Sequence, residues 1–175
     1  MGEPAPHTLV LDKRGSYGKD VYDGYYNGGS TGIIGEPNKD WRLPKKGLVM
    51  GMTVSGFAKA YPFSAISQQS VINDRFAGKE MVITYDPTSE SGAAFVRRVD
   101  GRTLTFEPAP GRAGVALMRD RETGSLWQVL TGQAVEGELF GERLERLPSH
   151  YSFWFAWSDF HPQTELYGDA RLGDT

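Results

Sequence analysis

The chain has 175 residues, 39% of them hydrophobic, 12% aromatic and 23% charged, and its formal net charge is −3. This length and composition suit one ordinary globular domain that buries a core without metal or disulfide support, and they exclude disorder along the whole chain. The absence of cysteine removes disulfides, thiolate nucleophiles, iron–sulfur clusters and zinc–thiolate sites, while a mildly acidic charge spread without runs offers nucleic acid no basic face.

No apolar run reaches the about 18 to 20 residues that span a bilayer, so no direct membrane insertion is expected. Met1-Gly2-Glu3-Pro4-Ala5-Pro6 lacks the basic and apolar regions of a signal peptide and reads as a short leader. As written the chain reads as soluble, with its compartment undetermined. Thr8-Leu9-Val10-Leu11 is the first expected strand. The Gly/Tyr-rich stretch 15–40 reads as a long loop, because a phosphate cradle would need a Lys-Ser/Thr pair or a helix entered from a strand. The expected organisation is an N-terminal extension with this loop at 1–43, a β-rich core domain at 44–167 and a tail at 168–175.

Hairpin signals then recur. Strands at 48–54 and 57–61 flank Ser55-Gly56, those at 71–76 and 81–85 flank Ala77-Gly78, and those at 93–99 and 102–107 flank Asp100-Gly101. A two-residue loop at Asp100-Gly101 would pair Val99 with Arg102, Arg97 with Leu104 and Phe95 with Phe106. That register puts Phe95, Leu104 and Phe106 on one face and Val96, Arg98, Thr103 and Thr105 on the other.

A further hairpin is expected from strands at 114–119 and 125–130. Asp120 would accept turn N–H groups, and Gly124 would take the left-handed position that closes the turn with a bulge. A last short strand is expected at 143–147. Two segments read as helical: 62–69, with Pro62 in its first turn, and 149–161, which starts at a serine and stops before Pro162. The second also alternates like a strand through Tyr151, Phe153, Phe155 and Trp157, and its rings predict a packed lid on the sheet. The His/Pro/Thr cluster at 161–166 echoes the one at 6–11, which would place the chain as one unit of a tandem protein.

Five pieces in order carry a resemblance: Ala58-Lys59-Ala60-Tyr61-Pro62, Val71-Ile72-Asn73-Asp74, Val99-Asp100-Gly101-Arg102-Thr103-Leu104-Thr105-Phe106, Asp120-Arg121-Glu122-Thr123-Gly124-Ser125-Leu126-Trp127 and Phe160-His161-Pro162-Gln163-Thr164. Together, over roughly residues 44–167, they resemble the bacterial family catalogued as domain of unknown function 3179. The Asp23-Gly24-Tyr25-Tyr26 region resembles the segment that comes after the terminal His-Pro motif of that family. Members are often exported or membrane-attached, so the resemblance admits an extracytoplasmic location. Some carry Cys-Pro-x-Cys-Gly-Ser where this chain has Asp86-Pro87-Thr88-Ser89-Glu90-Ser91, and a histidine where it has Gln68 and Gln69. Soft-metal or thiol chemistry built on those groups therefore does not transfer, and no cofactor is expected. Asp86 and Glu90 offer oxygen to a hard cation, but two carboxylates on a loop with serine and threonine read better as a turn.

No G-x-S-x-G occurs, and His7, His150 and His161 are too widely spaced for a two-His zinc motif. His161 reads as a cap or a hydrogen-bonded structural residue. Lys59, Tyr61, Asn73, Asp74, Asp120, Ser125 and Trp127 recur in the family's motifs, either converging on one end of a barrel or fixing hairpin ends by buried hydrogen bonds. The expected fold is mainly β, an antiparallel barrel or sandwich of about seven to ten strands built from consecutive hairpins, with one or two short helices. The preferred function is a non-catalytic binding or accessory module for a small molecule or protein. Its cleft would be lined by Tyr61, Trp127, Trp154 and Trp157, with Asn73 and Ser125 as polar contacts. The alternative is a cysteine-free enzyme, such as a hydrolase, using Asp74 or Asp120 with Lys59 as electrostatic partner.

Overall fold

A computed structural model describes residues 40–169. The leader, the strand expected at 8–11, nearly all of the Gly/Tyr-rich loop, the N-terminal half of the end-to-end echo and residues 170–175 lie outside the described residues. Strand β1 (Leu48–Val54) turns through Ser55-Gly56 into β2 (Phe57–Pro62), and helix α1 (Phe63–Gln69) continues directly from it with Pro62 as its cap residue. Strands β3 (Val71–Phe76), β4 (Lys79–Asp86) and β5 (Ser91–Val96) form a meander. A small hairpin, β6 (Arg98–Val99) with β7 (Arg102–Thr103), then turns at Asp100 and Gly101, whose φ values are 49° and 76°. A second meander contains β8 (Phe106–Arg112), β9 (Val115–Asp120), β10 (Leu126–Gln128) and β11 (Ala134–Glu136). β12 (Arg146–Leu147), β13 (Ser149–Phe153), helix α2 (Trp154–Phe160) and β14 (Glu165–Leu166) complete the described residues.

Mainly antiparallel strands form three four-stranded sheets, ordered β13-β1-β2-β14, β12-β5-β4-β3 and β11-β10-β9-β8, plus the β6-β7 ribbon. Among the described residues no sheet closes into a barrel, so of the two expected architectures the sandwich is the one found. The fourteen strands among the described residues exceed the seven to ten expected because several are only two or three residues long. Neither helix among the described residues is long and apolar enough to cross a membrane.

The cores explain the layering. Successive residues of a strand face opposite sides, and in the β12-β5-β4-β3 sheet both sides are apolar. Val82, Ala93 and Phe95 join Phe106, Met118 and Trp127 in one core, while Met81, Ile83 and Ala94 join Met50, Met52 and Tyr61 in another. This sheet is therefore the middle layer, which accounts for its unbroken apolar runs; a sheet with one wet face would alternate. A third core lies on the outer side of the first sheet, where Trp154 and Trp157 of α2 cover Val49, Ala60 and Leu166. Rings of this size contribute about 2 to 3 kcal/mol each when buried. The close approach of α2 needs Gly51, since a Cβ there would run into the Trp157 ring.

Two expectations need correction. Segment 149–161 is not one helix: its first five residues form β13 and pair with β1, Tyr151 opposite Met50, and the helix begins only at Trp154. The strand-like alternation prevails there because β1 has an edge to complete, a tertiary gain that outweighs the serine start. The hairpin at Asp100-Gly101 has the expected Val99–Arg102 pair, and Leu104 donates its N–H to Arg97 O at 2.8 Å. Phe95 does not pair with Phe106, however. Phe95 lies between Val82 and Arg146, while Phe106 pairs with Asp120. The two strands diverge after Leu104 into different sheets, yet Phe95, Leu104 and Phe106 still share one core, so the expected apolar face survives without the expected ladder.

Candidate functional site

Alternation along β2 sends Ala60 to the outer core and puts Lys59 and Tyr61 on the other side, toward β3. Lys59 Nζ lies 2.8 Å from Asp74 Oδ2 and 3.7 Å from Glu165 Oε2, and it sits 5.6 Å and 5.5 Å from the ring centroids of Tyr61 and Phe76. The Tyr61 hydroxyl donates to Asp74 Oδ2 at 2.7 Å, and the Arg75 backbone N–H donates to Asp74 Oδ1 at 2.7 Å. The Tyr167 ring stacks on Tyr61 at 5.4 Å. Burial pushes the Tyr61 phenol well above its ordinary range and the neighbouring Asp74 charge adds to the rise, so the hydroxyl stays a proton donor and forms no phenolate. Lys59, Tyr61 and Asp74 thus form one compact cluster joining β2, β3 and β14.

Asp120 belongs to a second cluster. It is fully buried, and its Oδ1 accepts the Thr123 backbone N–H at 2.6 Å and the Thr123 hydroxyl at 2.8 Å. Its Oδ2 accepts the Trp127 indole N–H at 2.8 Å. Ser125 Oγ accepts the Leu139 N–H at 3.0 Å and shares a 2.7 Å hydrogen bond with Thr123 Oγ1. Gly124 donates its N–H to Asp120 O with φ at 73°, the left-handed closure expected of this turn. Asn73 is spent between sheets: its amide accepts the Phe106 N–H at 2.8 Å and donates to the Phe106 carbonyl at 2.7 Å. One side chain thereby copies a peptide unit between β3 and β8, and the polar residue answers two backbone groups at a sheet edge.

The four rings expected to line a cleft do not meet in one. Tyr61 lies in the core between the first and middle sheets, Trp127 in the core between the middle and third sheets, and Trp154 and Trp157 in the outer core under α2. None is more than 2% exposed. Buried indoles need internal acceptors, and each has one. Trp127 donates to Asp120, Trp154 to the Asp40 carbonyl at 3.0 Å and Trp157 to Thr164 Oγ1 at 2.9 Å. His161 packs against Trp157, with ring centroids 4.1 Å apart, and its N–H caps α2 at the Trp157 carbonyl.

Asp86 and Glu90 form a turn. Asp86 Oδ1 accepts the Thr88 N–H at 3.0 Å and Oδ2 the Ser89 hydroxyl at 2.8 Å, and the Ser89 bond, seconded by the Thr88 bond, holds the carboxyl below its ordinary range. Glu90 is exposed in the left-handed region at φ 51°. Among the described residues no group of three or more histidines, aspartates and glutamates is placed to hold a metal ion. Glu165, Tyr167 and Thr123 are not among the expected site residues, although Thr123 stands inside the fourth motif and Glu165 inside the 161–166 cluster. The first two reach Lys59 and Tyr61 by way of a two-residue strand, which is too short to leave a periodic signal.

No curated protein and no solved structure matches the chain. A family model does, over residues 2–164, and its span takes in the N-terminal Gly/Tyr-rich segment as well as the five motifs. With nearly its whole length matched, the chain belongs to the family described as protein of unknown function DUF3179.

Proposed function

We propose that the domain is a non-catalytic binding or accessory module. One observation carries this reading: each candidate acid is occupied at both oxygens by its own fold, Asp74 by Arg75, Tyr61 and Lys59, and Asp120 by Thr123 and Trp127. A general base has to reach a substrate proton at hydrogen-bonding distance with a free lone pair, and a nucleophile needs an adjacent activating base. Here the same groups tie β2 to β3 and close the turn after β9.

The 2.8 Å approach of Lys59 to Asp74 favours a second reading, a hydrolase in which these two act together. A panel of chromogenic esters, phosphate esters and glycosides distinguishes the two. The module predicts equal, background turnover for the purified protein and for Asp74→Asn. Turnover that disappears in Asp74→Asn while the circular dichroism spectrum stays native would establish the enzyme instead.

A further inference from the structure

Beyond the Asn73–Phe106 clamp, strands β3 and β8 part and leave a hollow of about 420 Å³ between the 86–88 turn and the β8–β9 hairpin. The sequence keeps it open. Pro108 has no N–H to extend a ladder toward β3, and the hairpin presents Ala109, Gly111, Gly114 and Ala116 to the space, none large enough to fill it. Val71, Leu117 and Val129 contribute an apolar surface, and the volume lies in the range of ordinary small-molecule sites, about 300 to 1,000 Å³.

Charge narrows the ligand class. Among the described residues no lysine, arginine or histidine lines the hollow, and the one charged side chain there is Asp86. Hydrogen bonds from the Ser89 and Thr88 side chains and N–H groups hold that carboxylate ionised, so its negative charge is what a cation in the hollow would meet. We propose that this hollow binds a small organic amine, its apolar body against Val71, Leu117 and Val129 and its ammonium on Asp86. An anion finds no counter-charge there, and a neutral analogue loses the charge-assisted bond. The proposal rests on the binding-module reading and supplies its site and ligand class.

The test is amide chemical-shift mapping by NMR on the full chain with three probes of one shape: benzylamine, benzyl alcohol and benzoate. Benzylamine is expected to shift Val71, Thr88, Leu117 and Val129 saturably, benzyl alcohol to bind about tenfold more weakly at the same residues, and benzoate to leave them unmoved. Asp86→Asn should bring benzylamine down to the level of benzyl alcohol, and Ala116→Phe, which fills the space and leaves the 86–91 turn intact, should abolish both. Benzoate binding as well as benzylamine, no shift at these residues, or shifts that survive Ala116→Phe would overturn the site. Saturable shifts mapped elsewhere also overturn it while preserving the module reading, which only turnover lost in Asp74→Asn removes.

Discussion

A carboxylate withdrawn from water has to be matched bond for bond, and Asp120 shows how one residue can organise a turn on that condition. Its two oxygens collect a backbone N–H, a hydroxyl and an indole N–H, each from a residue within seven positions in sequence. Removing the carboxylate leaves the buried Trp127 indole without an acceptor, at a cost of about 1 to 3 kcal/mol, and also takes the acceptor from the half-buried Thr123 N–H. Asp120→Ala is therefore expected to lower unfolding stability by about 3 kcal/mol or more, measured as a reduced urea midpoint at unchanged slope. Asp120→Asn keeps an acceptor for one of the donors and should cost less. Trp127 makes an edge-to-face contact with Phe106 at 5.7 Å, so its fluorescence should report the same transition.

At the scale of elements, the sheets are joined by side chains that stand in for missing strands. Lys59 and Asp74 tie the first sheet to the middle one, with side chains only 10% and 18% exposed. Breaking a buried pair from one side leaves an uncompensated charge and costs about 3 to 5 kcal/mol, whereas replacing both partners with apolar groups costs much less. Lys59→Met alone should thus destabilise strongly, and Lys59→Met with Asp74→Leu should recover most of the loss. A double-mutant cycle in urea measures the coupling, and additive losses would show that the pair does not bridge the sheets.

Elements differ in how far they can be read from sequence. Ser55-Gly56, Ala77-Gly78 and Asp100-Gly101 declare their turns because local chemistry alone demands positive φ there, and all six residues have it. Ala113-Gly114 makes the same turn with φ 50° and 78°, but the Pro108-Ala109-Pro110 ahead of it has the composition of a loop and conceals most of β8. Lys59, Tyr61 and Asp74 stand in motifs, and they do meet. Their partners at β14 carry no such mark, because a two-residue strand has no period, and its pairing is settled about a hundred residues away.

For the molecule as a whole, two carboxyls among the described residues link stability to pH. Asp86 is held below its ordinary 3.8 by the Ser89 hydroxyl and the Thr88 N–H. For Glu122 burial works in the opposite direction, and bonds from Thr105 outweigh it, holding the group below 4.5. A carboxyl depressed in the folded state contributes stability that is fully present above its unfolded value and is lost as the pH falls through its folded value. The urea midpoint should therefore be insensitive to these two groups from about pH 7 to 5 and fall as the pH drops below about 4.5. Asp86→Asn with Glu122→Gln should flatten that decline, and an equally steep decline in the double variant would assign it to other groups.

The strand order of the first sheet also sets a sequence of events in time. β1 and β2 arise early in the described chain, yet their neighbours β13 and β14 come from its far end, β14 lying parallel to β2 with Leu166 beside Ala60. A two-stranded hairpin alone is marginal in water, and contacts this distant in sequence form slowly because a long loop must close first. During synthesis the β1–β2 hairpin therefore waits with both edges and one apolar face uncovered until about a hundred more residues have been made. The indoles that seal it, Trp154 and Trp157, are among the last of the described residues to arrive, so this layer closes only after the strands of the other two sheets have been made.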